Sequence, residues 1–434
     1  MKKIVFSALS SKLSPLSSKL STLLILTLCC TTAIAVDDVE EAQFNFSRHD
    51  ACEFITIPYI SVDNQNNPVV LSTGICWPTE SYLDKTPRKI KFIVLNNHPT
   101  IGKDSEASTG SKPLSSIEVM GIPIAPHGAM NLMTTEDGLV ISPDYLGFGY
   151  SRNSIHPYCN HTLTARNVID GFVAAMDTVK ARGIEIDENY YTYNIGYSQG
   201  GAVSMGVQKF LETEASQQVR DLFRLKKSIC GAGPYDIPLT YRELVEEDSL
   251  TYPCSLAMTL IGAMAAYKEG CMKQVDIDSI YANPEFRRGI EEIVSEKEST
   301  TDSINLWMTN FFGRTKISAR DILRPEVLDH SSNAGRALDK TVSKCNLLDG
   351  EWIPETPITL YHFTGDQVVP YSNSLEAVKL FGDKVKLYNE KDTITCQSEM
   401  LRSALPLIKP NPHTHSDYGT PFFLYVIDGI LRKM

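Results

Sequence analysis

The feature that most restricts this chain is a five-residue turn near its centre, Gly196-Tyr197-Ser198-Gln199-Gly200. Residues 191–195 before it (Tyr-Thr-Tyr-Asn-Ile) read as a strand, and residues 202–211 after it read as a helix. A strand that leaves such a turn as a helix must reverse within a few residues. Glycines on either side of the serine let the two backbones approach closely and leave the serine exposed on a strained corner. A serine hydroxyl is a poor nucleophile unless it is exposed and a base can take its proton. The N-terminus of the following helix favours negative charge developing beside it. Against a reading as an ordinary glycine-rich turn, the strand before and the helix after supply the context that a nucleophile at Ser198 needs.

The rest of the chain extends the same pattern. Residues 89–96, 138–142, 225–230, 358–363 and 384–388 read as strands. Residues 160–180 have helical spacing, with Val168, Phe172, Val173 and Met176 on one side, and residues 422–431 read as a closing helix. Strands alternating with helices of this length predict an α/β fold with a mostly parallel sheet covered on both faces. The chain of 434 residues is long for one ordinary domain. The excess falls in residues 239–356, which are mainly helical and hold no convincing βαβ unit. They read as a helical cap inserted between a first core part, 36–238, and a second, 357–434. Within the cap, residues 255–267 and 306–312 are apolar. The first reads as the cap's own core. The rings of Trp307, Phe311 and Phe312, with Met308, read equally as that core or as an apolar substrate-binding site, since large adaptable side chains suit apolar ligands.

Residues 1–35 do not read as part of a fold. Lys2, Lys3, Lys12 and Lys19 precede a short apolar run, and Ala33-Ile34-Ala35 follows it. Positive start, apolar middle and small-x-small end are the three parts of a secretory signal. The run is shorter than the roughly 20 apolar residues of a membrane span. Lipoprotein processing at Cys29 or Cys30 is a second route, against which the bulky Leu28 stands. Without the leader's four lysines, 37 basic residues face 52 acidic ones, a formal net charge of −15. Such a surface argues against nucleic acid or an anionic membrane as partner. Eight of the ten cysteines remain after the leader, an even number that permits disulfides in an exported protein. Cys52 and Cys76 lie equally far from Asn64, so a hairpin turning there would set them opposite each other at disulfide distance.

A serine nucleophile needs a base and a residue to orient it. In a sheet of this kind the order is acid, then histidine. Thr364-Gly365-Asp366 follows the strand at 358–363 and puts Asp366 in a loop at a strand's carboxyl end, where open α/β sheets build their sites. Asp392, in Glu-Lys-Asp-Thr, reads as an ordinary solvated turn. Of nine histidines only His413 and His415 come after Asp366. His415 is preferred, because it sits one short turn before Gly419 and the closing helix. His-Thr-His lacks a third ligand of suitable spacing, so neither a metal nor any other cofactor is expected. An oxyanion needs two aimed backbone N–H groups. Gln199 supplies one. The loop Asn97-His98-Pro99-Thr100 supplies the other, and since Pro99 has no N–H, Thr100 is the first choice and His98 the second.

With these residues in hand, the chain resembles the secreted α/β-hydrolases of the secretory lipase type. The resemblance rests on Ile141-Ser-Pro-Asp-Tyr-Leu-Gly-Phe-Gly-Tyr-Ser151, His156-Pro-Tyr158, Thr164-Ala-Arg166, Gly196-Tyr-Ser-Gln-Gly-Gly201, Gly231-Ala-Gly-Pro-Tyr-Asp236, Gly365-Asp366 and the end from His415 to Phe423. It covers most of the chain from about residue 90 except the cap. It implies the α/β-hydrolase fold, a helical lid after the sixth core strand, the triad positions Ser198, Asp366 and His415, and hydrolysis of carboxylic esters, small-molecule or lipid. His98-Pro99-Thr100 departs from the family's commoner His-Gly pair. Two rivals remain at this point. A serine peptidase of this fold usually carries a large N-terminal domain, for which residues 36–88 leave no room. An inactive binding protein would not need a complete triad in the right order.

Overall fold

A computed structural model of the chain describes residues 46–49, 52–78, 89–111, 137–267, 279–389, 415–424 and 426. The expected leader, Asp392 and His413 lie outside them. Nine strands form one sheet: β1 (Phe46–His49), β2 (Cys52–Val62), β3 (Pro68–Pro78), β4 (Ile90–Asn97), β5 (Gly138–Pro143), β6 (Ile186–Tyr197), β7 (Leu225–Gly231), β8 (Ile358–Tyr361) and β9 (Val385–Tyr388). Their order is β1-β2-β3-β5-β4-β6-β7-β8-β9. The first three strands are antiparallel and join β5 antiparallel. From β5 to β9 every pair is parallel.

Twelve helices accompany the sheet among the described residues. Three lie between β5 and β8 on the core side: α1 (His161–Ala181), α2 (Gln199–Thr213) and α3 (Gln217–Phe223). Seven follow β7 as a helical insertion: α4 (Ile237–Glu246), α5 (Pro253–Tyr267), α6 (Pro284–Glu296), α7 (Thr301–Phe312), α8 (Ala319–Ile322), α9 (Pro325–Leu328) and α10 (Asn333–Ser343). The last two are α11 (Ser372–Phe381) and α12 (Gly419–Leu424). No helix among the described residues is long and apolar enough to cross a membrane.

Side-chain alternation along the strands explains the two covered faces. On β4, Ile93 and Leu95 join one core with Val168 and Phe172 of α1 and Val203 of α2, whereas Phe92 and Val94 join a second core with Phe422 and Phe423 of α12. A strand buried on both faces reads as the near-continuous apolar run seen at β4 and β5. Helix α1 starts where the Asn160 side chain accepts the Leu163 N–H at 3.2 Å. Its buried positions Val168, Phe172, Ala175, Met176 and Val179 follow the expected helical stripe, with Val173 only half-buried.

The β2–β3 hairpin corrects one expectation. Val62 pairs with Pro68, so the turn is centred on Gln65, one residue beyond Asn64. The Asp63 carboxylate fixes it by accepting the N–H groups of Gln65 at 2.8 Å and Asn67 at 2.9 Å, while Asn66 takes a left-handed φ of 62°. That shift sets Cys76 opposite Phe54 and Cys52 opposite Pro78. The two cysteines are therefore not directly opposed, as a hairpin turning at Asn64 would have set them.

The strand order also locates the site. β4 is flanked by β5 on one side and β6 on the other, so the chain leaves β4 toward one half of the sheet and later returns to the other half. Ligands of open α/β sheets bind beyond the carboxyl ends of the strands at such a switch point. The loops after β4, β6 and β8 carry Thr100, Ser198 and Asp366.

Candidate active site

The turn at Ser198 is tighter than its sequence shows. β6 runs to Tyr197 and α2 starts at Gln199, so Ser198 alone makes the corner, at φ 57° and ψ −124°. Such a backbone is costly for a residue with a side chain and persists only where its surroundings impose it. Two glycines show how. A Cβ on Gly196 would stand 2.1 Å from the Gly200 carbonyl oxygen, and one on Gly200 would stand 2.1 Å from the Asn97 carbonyl oxygen. The second contact presses the end of β4, and the loop beyond it, against the start of α2. Ser198 N–H donates to the Gly231 carbonyl of β7 at 2.8 Å.

The structure brings Ser198, His415 and Asp366 together. His415 Nδ1 lies 2.5 Å from Asp366 Oδ2, and its Nε2 lies 2.8 Å from Ser198 Oγ. An ionised carboxylate only accepts, so Nδ1 carries the proton and Nε2 is left to accept the serine hydroxyl. Asp366 is held in turn by the N–H groups of Val368 and Val369, both 2.9 Å from Oδ1. Burial alone would raise the Asp366 pKa. His415 and His362, through charge and hydrogen bonding, more than reverse this and leave the carboxyl well below the usual carboxylate range.

Two supporting residues escaped the sequence reading. His362, four residues before Asp366, is fully buried, donates from Nε2 to the Val369 carbonyl at 3.0 Å and lies 3.4 Å from Asp366 Oδ2. The i, i+4 spacing was its only sequence signal. Tyr197, the variable residue before the nucleophile, donates its hydroxyl to the His415 carbonyl at 2.7 Å, with ring centroids 5.2 Å apart. Nothing in the sequence marked it.

Gln199 and Thr100 stand on the two sides of the corner. Neither backbone N–H makes a hydrogen bond within the protein among the described residues, which leaves both as available donors. His98 packs beneath them. It stacks on Tyr145 at 3.8 Å and donates from Nδ1 to the Pro99 carbonyl at 2.7 Å. Burial pushes its pKa down to about 4.

A cavity of about 450 Å³ opens over Ser198 and His415. Its insertion side carries Ile237, Leu244, Leu256 and the rings of Tyr241 and Tyr252, with Glu106 and Asp302 also on its lining. Trp307, Phe311 and Phe312 do not reach it. They surround Phe286 of α6, with ring centroids 5.8, 5.4 and 5.0 Å away, inside the insertion's own core. The physical reason is the stripe of α7. Ile304 and Met308 turn inward toward that core and carry the neighbouring rings with them.

The sequence matches the secretory lipase family over residues 132–401, more than half of the chain. The chain belongs to the secretory lipase family. That membership makes it a carboxylic ester hydrolase, and the matched stretch includes Ser198 and Asp366 and stops before His415. No curated protein matches the sequence. Among solved structures, the rice cell wall degrading esterase LipA from Xanthomonas oryzae is similar at 18% identity and a TM-score of 0.63, over 92% of this chain and 94% of that one. A putative hydrolase from Legionella pneumophila subsp. pneumophila str. Philadelphia 1 is similar at 18% identity and a TM-score of 0.65, over 90% of both chains. Candida antarctica lipase A in its closed state follows at 14% identity and a TM-score of 0.57, over 87% of this chain and 82% of that one. These neighbours share the α/β-hydrolase fold.

Proposed function

We propose that the protein is an exported serine esterase or lipase that works through an acyl-enzyme. Ser198 Oγ attacks the ester carbonyl carbon while His415 Nε2 takes its proton. The imidazolium so formed is stabilised by Asp366 and returns the proton to the departing alkoxide as the C–O bond breaks. A water molecule then attacks the acyl-enzyme by the same route and releases the carboxylic acid. The N–H groups of Gln199 and Thr100 hold the oxyanion of both tetrahedral intermediates. Export rests on the leader-like first 35 residues and on the secretory family. The substrate is a small-molecule or lipid ester that fits a cavity with an apolar wall.

The observation that carries this reading is the continuous Ser198–His415–Asp366 hydrogen-bond chain at the mouth of a strained corner. A fluorophosphonate should label Ser198 and no other residue. Ser198→Ala should reduce p-nitrophenyl butyrate hydrolysis by more than about a thousandfold, to what an oxyanion hole alone supplies. Labelling elsewhere, or activity retained above that level, overturns the assignment. A panel of p-nitrophenyl esters from acetate to palmitate, beside aminoacyl p-nitroanilides, separates esterase, lipase and peptidase.

A further inference from the structure

The proposed oxyanion donors sit on separate loops, one after β6 and one after β4. Their spacing must match one oxygen atom, and misplacement by about 1 Å costs roughly a hundredfold in rate. Something has to hold the two loops to each other. A third segment touches both.

That segment is His156-Pro157-Tyr158. The side chain of Gln199 is buried, and its amide Nε2 donates to His156 Nε2 at 2.8 Å. This direction is settled by the other ring nitrogen, because His156 Nδ1 lies 2.8 Å from the Leu146 carbonyl, which only accepts. Two residues on, the Tyr158 hydroxyl is 2.9 Å from the Thr100 hydroxyl. The segment itself is short and stiff. Tyr158 N–H donates to the His156 carbonyl at 2.8 Å, with Pro157 between them. A ring stack joins the same parts a second time, running from His98 to Tyr145 at 3.8 Å and from Tyr145 to His156 at 6.0 Å. The Tyr145 hydroxyl donates to the His98 carbonyl at 2.9 Å. The insertion meets the core here too: a Cβ on Gly262 of α5 would fall 2.5 Å from Tyr158 N.

We propose that His156-Pro157-Tyr158 is a clamp that sets the distance between the Gln199 and Thr100 N–H groups, His156 acting through the Gln199 side chain and Tyr158 through the Thr100 hydroxyl. Both are positioning residues, and the inference rests on the serine esterase reading above. Burial keeps His156 neutral, with its pKa pushed down to about 3, so its Nε2 stays an acceptor over the working range of pH. The insertion, through α5, is thereby tied to the oxyanion hole as well as to the cavity wall.

His156→Leu strands the buried Leu146 carbonyl and risks the fold, so the test uses two gentler changes. Gln199→Met keeps the side-chain length and loses the donor. Tyr158→Phe loses one hydroxyl. The measurements are kcat and KM for p-nitrophenyl butyrate and inhibition by butylboronic acid, whose tetrahedral adduct on Ser198 mimics the transition state. Each variant should lose about tenfold in kcat and about tenfold in boronate affinity, with KM moved less than threefold. A purely structural role would not weaken the tetrahedral adduct in step with kcat. A loss under fivefold in either quantity, or a KM change that accounts for the whole loss in kcat/KM, overturns the clamp. Fluorophosphonate labelling of Ser198 in the unchanged protein separates the two failures. With labelling present, flat variants refute the clamp alone. With labelling absent, the serine esterase reading falls and takes the clamp with it.

Discussion

On the sheet side of the cavity, the parts that hold Ser198 meet backbone to backbone. Inside the insertion, the helices around Phe286 meet through side chains. Gly200 lies where any Cβ would strike the Asn97 and His98 carbonyl oxygens, at 2.1 and 2.8 Å. By contrast the insertion closes on itself around Phe286, where Trp307, Phe311 and Phe312 pack as tilted, stacked and edge-on rings. A backbone contact has no rotamer to give way and accepts one residue type. A ring cluster tolerates exchange of one large apolar side chain for another as long as volume is kept. Backbone contact therefore fixes the floor, and side-chain packing fills the interior of the roof.

The largest expected effect tests the floor. Gly200→Ala should cost about 3 kcal/mol of stability by forcing the end of β4 away from α2. Whatever protein folds should lose at least a hundredfold in kcat/KM, since the Thr100 loop moves with β4. Unfolding by guanidinium chloride and butyrate-ester kinetics measure both. Wild-type kinetics in the Gly200→Ala variant would mean that the floor gives way as readily as the roof.

The same difference explains what was legible in the sequence. Ser198, Asp366 and His415 could be read because each needs a fixed residue type at a fixed place relative to a strand or helix. The alternation of strands with helices, together with the stripe on α1, pointed to a sheet covered on both faces. His156 and Tyr158 could not be read as site residues, because their partners Gln199 and Thr100 lie 43 and 58 positions away in the chain, and His362, four residues before Asp366, touches the triad only through that carboxylate. The expected opposition of Cys52 and Cys76 was off by one turn residue, since the Asp63 carboxylate centres the hairpin on Gln65. The rings of α7 failed differently. An apolar helix stripe looks the same whether it faces a ligand or a neighbouring helix, and here Phe286 was the neighbour.

A paired substitution on the roof sharpens the comparison. Leu256 of α5 lines the cavity and Trp307 of α7 does not. Each methylene of an acyl chain contributes about 0.8 kcal/mol when buried. Leu256→Trp fills part of the cavity and should reduce activity on decanoate esters about tenfold more than on acetate esters. Trp307→Ala should lower stability by about 2 kcal/mol, as a half-buried ring. The ratio of decanoate to acetate activity should then stay within twofold of wild type. If Trp307→Ala shifts the ratio while Leu256→Trp does not, the acyl wall lies in α7 rather than α5.

The smallest expected effect lies at the seam between floor and roof. Lys297 follows α6, is 3% exposed, and reaches toward the Ser154 carbonyl at 3.5 Å and over the Phe148 ring at 5.4 Å. Its own carbonyl accepts the Asp104 N–H at 2.8 Å, so the residue ties the insertion to the core twice. Burial pushes the ammonium pKa down to about 8, helped by Arg152 and opposed by Asp104. In the unfolded chain the group keeps its proton up to about pH 10.4. Between these values the unfolded state binds more protons, so stability rises with pH through that window, and below about pH 8 the full cost is present. Lys297→Met removes the charge and keeps much of the stem's volume. At pH 7 it should stabilise the protein by about 1–2 kcal/mol. The advantage should be mostly gone by about pH 10.4, where the folded wild type is neutral and half of the unfolded chains have lost the proton, and should vanish above it. Guanidinium midpoints of the two proteins at pH 7 and pH 10, taken as a difference, cancel every other titrating group. A difference that does not narrow with pH would mean that the Lys297 ammonium is satisfied where it lies. A difference that narrows as expected makes the roof, through its seam, the part of the molecule that alkaline pH tightens, while the Ser198 corner stays as its backbone holds it.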